Sequence, residues 1–370
     1  MDGKQFDNNG NPVENNQDIQ QDVQPEVYPT PAYGMAPPTG RRRIRWIPLA
    51  LVLIVLGGMM YGTAWVTGSR GGSVYFQDGR LRVRAANRRG NNRTEITLPA
   101  GAANARNLTL DVRSTNITIV PTNGAMAMVV YGDIEHNVRY AGGTLYIETP
   151  PFHTRDIQFF GGDFNRREIR LYVPRNMDVQ VIGITASTGN ITIEGFNGRE
   201  LNLNVTSGNI RLRDIQATQT HIRAVTGNIT IDHLSANTLD TRSTSGNVRI
   251  NDSDITNTDI SLTTGNIHIN GGTFTHLYTN STSGNINVNA SAYSGGTAQV
   301  DTRTGTVRLT LRGADTPLRG IRDNHNLQAR TGNIRINGNR TNGNSNVSSA
   351  DANFHVHART TSGNIHVDYR

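Results

Sequence analysis

Arg211, Arg249, His268, Arg308 and Arg335 each stand three residues after a glycine of one recurrent signature, and this is the arrangement in the chain best suited to chemistry. A guanidinium presents a planar fork of donors that matches phosphate or carboxylate oxygens, so a row of them suits an extended polyanion. The column is mixed, because Thr192, Thr230, Asn287 and His366 occupy it elsewhere. Other chemistries find less support. With no cysteine there is neither a thiolate nucleophile nor a thiolate metal site. Carboxylates are scattered and do not recur at one column, and phosphate-cradling and nucleophile-elbow motifs are missing, so the chain is not expected to be an enzyme. His355-Val356-His357 places two imidazoles on one face of a strand, without a carboxylate at useful spacing. We read them as surface histidines and expect no metal and no cofactor.

The formal net charge is +7, carried by 36 basic residues spread from end to end, with Lys4 the single lysine. No nucleic-acid module of the usual kinds is visible, so nucleic acid is not an expected partner. An anionic cell-envelope polymer, or a glycan, fits this charge better.

These side chains are positioned by a repeat. Gly189-Asn190-Ile191, Gly208-Asn209-Ile210, Gly227-Asn228-Ile229, Gly246-Asn247-Val248, Gly265-Asn266-Ile267 and Gly284-Asn285-Ile286 follow one another at intervals of 19 residues. Such a period marks small units that cannot bury their apolar sides alone and must stack. Two and four residues after each glycine stand Ile191 and Ile193, Ile210 and Leu212, Ile229 and Ile231, and their counterparts, the period-two pattern of a strand with one buried face. Five and three residues before it stand Ile184 and Ala186, Leu203 and Val205, Ile222 and Ala224, but Thr241 with Ser243 and Thr279 with Ser281 later on. Each repeat therefore reads as two main strands around an apolar interior. The low aromatic content, 6%, and the abundance of Gly, Asn, Thr and Ile agree with an all-β chain.

Two topologies fit these columns. Gly-Asn is a dipeptide of two-residue hairpin loops, which would give an antiparallel meander. Stacked corners would give a single-stranded parallel β-solenoid of about 19-residue coils. Identical corner residues at constant spacing favour the solenoid. At such a corner Gly accepts positive φ and Asn tolerates the left-handed region, and Asn190, Asn209, Asn228, Asn247, Asn266 and Asn285 would stack as an amide ladder. Thr or Ser before each glycine would find partners in it. After Gly284 the spacing loosens to 21, 27 and 31 residues, so 313–325 and 337–353 are expected to leave the coil as loops. The chain stops directly after the last signature, at Val367-Asp368-Tyr369-Arg370, so a bare final edge and homotypic association are expected.

Upstream, residues 1–40 are polar, rich in Pro, and read as a disordered tail. Residues 41–68 combine Arg41-Arg42-Arg43-Ile44-Arg45 with an uncharged run, Trp46 to Val66, long enough as a helix to span a bilayer once. Trp46, Tyr61 and Trp65 fit the interfacial belt, and the preceding arginines predict a cytoplasmic N-terminus with an extracytoplasmic C-terminal domain. Residues 74–177 read as irregular leading strands that cap the regular repeats of 178–370.

Leu171-Tyr172-Val173-Pro174, then Val179 to Thr185, then serial Thr/Ser-Gly-Asn-Ile units behind one span, resemble the bacterial putative-adhesin family of membrane-associated β-solenoid domains of unknown function. The resemblance covers residues 105–370 and implies surface adhesion without a defined ligand. It brings no catalytic residue, and Asn stands here where Asp is common in that family. The expected protein is a membrane-anchored surface module binding a glycan, an anionic envelope polymer or itself. The rival expectations are an envelope scaffold or sensor and a carbohydrate-active solenoid enzyme.

Overall fold

The computed structural model describes residues 72–77, 80–85, 93–132, 134–150, 158–160, 167–314, 325–341, 343–347 and 353–370. The expected polar tail and the expected membrane span lie outside these residues. No helix among the described residues is long and apolar enough to cross a membrane. They are almost entirely β, with one 3-10 turn, Ala102–Asn104.

Successive signatures pair in parallel and in register: Ile191 lies beside Ile210, Ile210 beside Ile229, Ile229 beside Val248, Val248 beside Ile267, and Ile267 beside Ile286. The repeats are therefore stacked coils and not serial hairpins. Like residues form columns because the coil length is constant, and the Ile, Leu and Val columns at both strand positions are buried. Burial of each such side chain contributes about 1.5–3 kcal/mol, which is where the array finds its stability.

Each coil of the regular array has three runs where the sequence suggested two. After the strand that follows the glycine, the chain turns at Gly195, Asp214, His233, Asp252 and Gly271, all with positive φ. A short run then buries Phe196, Ile215, Leu234 and Ser253, and the last three of these are followed two residues later by buried Ala217, Ala236 and Ile255. The signal for this third face was present in the sequence as a Gly, Asp or His column, but its residue types differ from coil to coil.

The signature corner works by close approach. Gly208, Gly227, Gly246, Gly265 and Gly284 have φ between 135° and 151°, and a Cβ on any of them would overlap the carbonyl oxygen of the glycine one coil earlier. The asparagines do not adopt positive φ. Instead, Oδ1 of each accepts the backbone N–H of the next: Asn190 from Asn209, Asn209 from Asn228, Asn228 from Asn247, Asn247 from Asn266 and Asn266 from Asn285, at 2.9–3.0 Å. Side-chain amide to side-chain amide bonds join some of the same pairs. The Thr and Ser residues before the glycines contribute their backbone carbonyls, as when Ser245 accepts from Gly227 N–H at 3.0 Å. Hydroxyls inside the core have a use of their own, since Ser281 and Thr302 donate to the carbonyls of Gly265 and Gly284 at 3.4 and 3.1 Å.

Chain order and stacking order part company at both ends. Asn107–Ser114 and Asn116–Thr122 supply the two main strands of a coil beneath 181–194, with Thr115 in place of the corner glycine and Asn116 Oδ1 starting the ladder. The regular array therefore starts inside the segment expected to be an irregular leader. The next layer outward is Thr144–Glu148 and Glu168–Pro174, so the chain leaves the first coil on one side and returns on the other. Antiparallel strands Asn137–Ala141 and Ala127–Tyr131 close that end. At the other end, Phe354–Ser362 and Ile365–Tyr369 lie between the coil of 296–311 and the strands His325–Thr331 and Ile334–Ile336. The end of the chain is thus not the end of the solenoid, contrary to the expectation drawn from the sequence. The outermost layer is 325–336, bordered by antiparallel pairs with Ser345–Val347 and Asn339–Arg340. Ala329 N–H donates to Asn344 Oδ1 at 3.0 Å and Thr341 N–H to the Ile334 carbonyl at 3.0 Å, which satisfies more of that edge.

Candidate functional site

Because every coil contributes one residue to the column three positions after its glycine, stacking turns that column into a row. In spatial order it runs Thr192, Arg211, Thr230, Arg249, His268, Asn287, Arg308, His366, Arg335, each paired in register with the next. The structure thus brings Arg249 next to His268, and Arg308 and Arg335 to either side of His366. Arg211 stands apart, separated from Arg249 by Thr230. His366 belongs to the row only because the C-terminal segment enters between two earlier layers.

Neighbouring strands lie about 4.8 Å apart, so the row offers one polar group per strand spacing along a straight line. Arg211, Arg249, Arg308 and Arg335 are exposed and have no ion-pair partner among the described residues. Burial, and then the neighbouring Arg249 guanidinium, hold His268 below the usual histidine range. Burial also lowers His366, helped by Arg308 and Arg335 and opposed by Asp368. At neutral pH the fixed charge of the row is therefore carried by arginine, with the imidazoles neutral between them.

Beside Arg249 and His268 the surface sinks into a cavity of about 390 Å³ lined also by Asn251, Asn270, Asn289, Thr310 and Arg370. The asparagines form a second amide column, with Asn289 Nδ2 donating to Asn270 Oδ1 at 3.2 Å and Asn251 Nδ2 to Asp232 Oδ1 at 2.7 Å. Arg370 joins this cavity from the inserted C-terminal layer. Reasoning from sequence missed Arg370, since nothing in its spacing announces the insertion, and missed the amide column, which was legible as Asn251, Asn270 and Asn289 at 19-residue intervals. The ladder of Asn190 to Asn285 lies at the corner, where its Oδ1 atoms are engaged with backbone. Its place is structural. Among the described residues no cluster of three or more histidines and carboxylates converges as a metal would require. His357 sits instead 3.7 Å from Asp301.

A parallel solenoid of in-register coils with a cationic and amide-lined face is the class of protein these observations define. The chain belongs to the Toastrack DUF4097 family, whose model matches residues 105–368. Solved structures that the chain matches include a putative cell adhesion protein from Clostridium sporogenes (13% identity, TM-score 0.27), covering 76% of this chain and 100% of that one. A putative adhesin from Bacteroides fragilis (12%, TM-score 0.38) covers 76% and 98%, and a putative lipid binding protein from Parabacteroides distasonis (12%, TM-score 0.38) the same shares. No curated protein matches the chain.

Proposed function

We propose that this chain is a membrane-anchored, adhesin-like surface module whose solenoid binds an anionic envelope polymer along the row from Arg249 to Arg335, by binding alone and without catalysis. The observation that carries the reading is the continuity of Arg249, His268, Asn287, Arg308, His366 and Arg335 across adjacent strands, with unpaired guanidiniums at a constant rise. A polymer with a phosphate or carboxylate on each unit meets such a row at several points at once, and several weak charge-assisted contacts then act together. The amide column beside it offers donors and acceptors for hydroxyls of the same polymer. The run Trp46 to Val66 and its flanking arginines support a single membrane anchor with the solenoid outside. Self-association along the axis has less to stand on, because antiparallel strands border both terminal layers.

The test uses polyphosphate and polyglutamate as probes, together with purified envelope polymer. Binding is expected to weaken with salt and to be lost when Arg249, Arg308 and Arg335 are replaced together by Ala, with melting temperature unchanged. Binding that survives the triple replacement would reject the row. Protease protection on intact cells checks the side of the membrane.

A further inference from the structure

The short third face of the coil carries a second groove, on columns that the basic row does not touch. A cavity of about 400 Å³ runs across six layers, from Asn197 to Tyr293, and is lined by Gln216, Ser235, Asp254 and Thr273 along one side and by Thr218, Asn237 and Thr256 along the other. Ala217, Ala236 and Ile255 form its floor, each less than a tenth exposed. At one end stands Tyr293, 41% exposed.

Tyr293 is there because the repeat is broken. The coil that starts at Gly284 has 21 residues instead of 19. Its register against the previous coil jumps between Phe274 and His276, which face Ala292 and Thr297. The additional residues fall at the corner of the third face and put an aromatic ring at the mouth of the groove.

The lining excludes some ligands. Its single charged side chain is Asp254, which repels the polyanion that suits the basic row, and no arginine or lysine contributes. An added peptide strand finds no free backbone either, since the layers are already paired with each other across the third face. What remains is a line of amides, hydroxyls and one carboxylate, each about one strand spacing of 4.8 Å from the next, ending on a tyrosine ring. That spacing is close to the length of one extended pyranose unit, whose hydroxyls repeat and whose C–H face stacks on an aromatic ring. We infer that this groove takes an extended, uncharged polysaccharide chain, with Tyr293 as the stacking platform. The site does not depend on the proposed role of the basic row.

The full-length chain is titrated calorimetrically at high salt with neutral hexaoses: chitohexaose, cellohexaose and maltohexaose. At least one binds, and Tyr293→Ala weakens it about tenfold or more, equivalent to about 1.4 kcal/mol, whereas Tyr293→Phe retains it. Ser235→Leu, which places a branched side chain in the groove from an exposed position on its side and removes a hydroxyl, also abolishes binding while leaving the melting temperature in place. Arg249→Ala leaves it intact. Failure of all three sugars to bind, or binding indifferent to both Tyr293→Ala and Ser235→Leu, overturns the inference. Loss with Arg249→Ala instead would assign the sugar to the basic row.

Discussion

The corner glycine and the asparagine after it do different work, and substitutions separate them. Gly246 has φ 135° and its missing Cβ makes room for the Gly227 carbonyl, so Gly246→Ala meets both strain and overlap. It should cost about 3 kcal/mol or more by urea denaturation, whereas Gly143→Ala, with φ 74° and open space, should cost about 1–2 kcal/mol. Equal costs would mean that backbone strain alone selects the corner glycines. Asn228 acts through its oxygen, which accepts from Asn247 N–H. Asn228→Ala should therefore lose about 1 kcal/mol, and Asn228→Asp, which keeps the acceptor, less. The two histidines of the row respond to pH. Both have folded values below the ordinary one of 6.5, so in the window between them the unfolded chain binds more protons. Stability is held above that window and falls as the pH drops through it. The urea midpoint should decline on acidification, and less so in the double variant His268→Gln with His366→Gln. A bound polyanion favours the protonated rings, so polymer affinity should rise over the same window in which stability falls.

The element that sequence reasoning handled well is the regular coil, and the one it misplaced is the last. The columns of Ile191, Ile210 and Ile229 are legible because constant spacing and a period of two leave one choice of inner face. Ile231→Asp should accordingly unfold the chain, burying a charge with no partner, while Arg249→Ala changes little. The third face was hidden because its turn is made interchangeably by Gly195, Asp214 and His233. The order of the final layers was hidden for a deeper reason. The last coils share the corner glycine, so Gly363-Asn364 can stack on Gly305 as readily as Gly332-Asn333 can, and the pattern fixes register without fixing sequence of layers. Chain order predicts Arg308 beside Arg335. The fold puts His366 between them. The chain has no native cysteine, so paired replacements decide the matter cleanly. Arg308→Cys with His366→Cys should form a disulfide, since adjacent strands bring Cα atoms to about 4.8 Å. Arg308→Cys with Arg335→Cys, two layers apart at about 9.6 Å, should not. The reverse outcome would restore chain order and remove His366 and Arg370 from the proposed face.

For the whole molecule the same insertion solves the problem of a stack whose inner layers all present pairing edges. A solenoid coil ends in unpaired N–H and C=O groups that would accept another chain. Here the layer of 144–148 and 168–174 is closed by antiparallel Asn137–Ala141 and Ala127–Tyr131, and the layer of 325–336 by the turns around Asn344 and Thr341. These closing segments break the repeat, and that is their use: irregular sequence cannot propagate the stack. The coil of 286–311 has no such protection of its own, because its outer edge is covered by Phe354–Ser362 and Ile365–Tyr369. A chain ended after Gly313 would therefore expose the backbone edge of Gly296–Thr304 and Val307–Leu311, and uncover the buried side chains of Val300, Val307, Leu309 and Leu311. Light scattering of the detergent-solubilised chain should show the full-length protein as monomeric and the truncated one as associating with rising concentration. Replacing Leu309 by Lys in the truncated chain should suppress that association, because a charge on the exposed face resists edge pairing. A truncated chain that stayed monomeric would show that the coil edge needs no cover, and the reversed order of the last layers would then have to be explained by the binding face it completes.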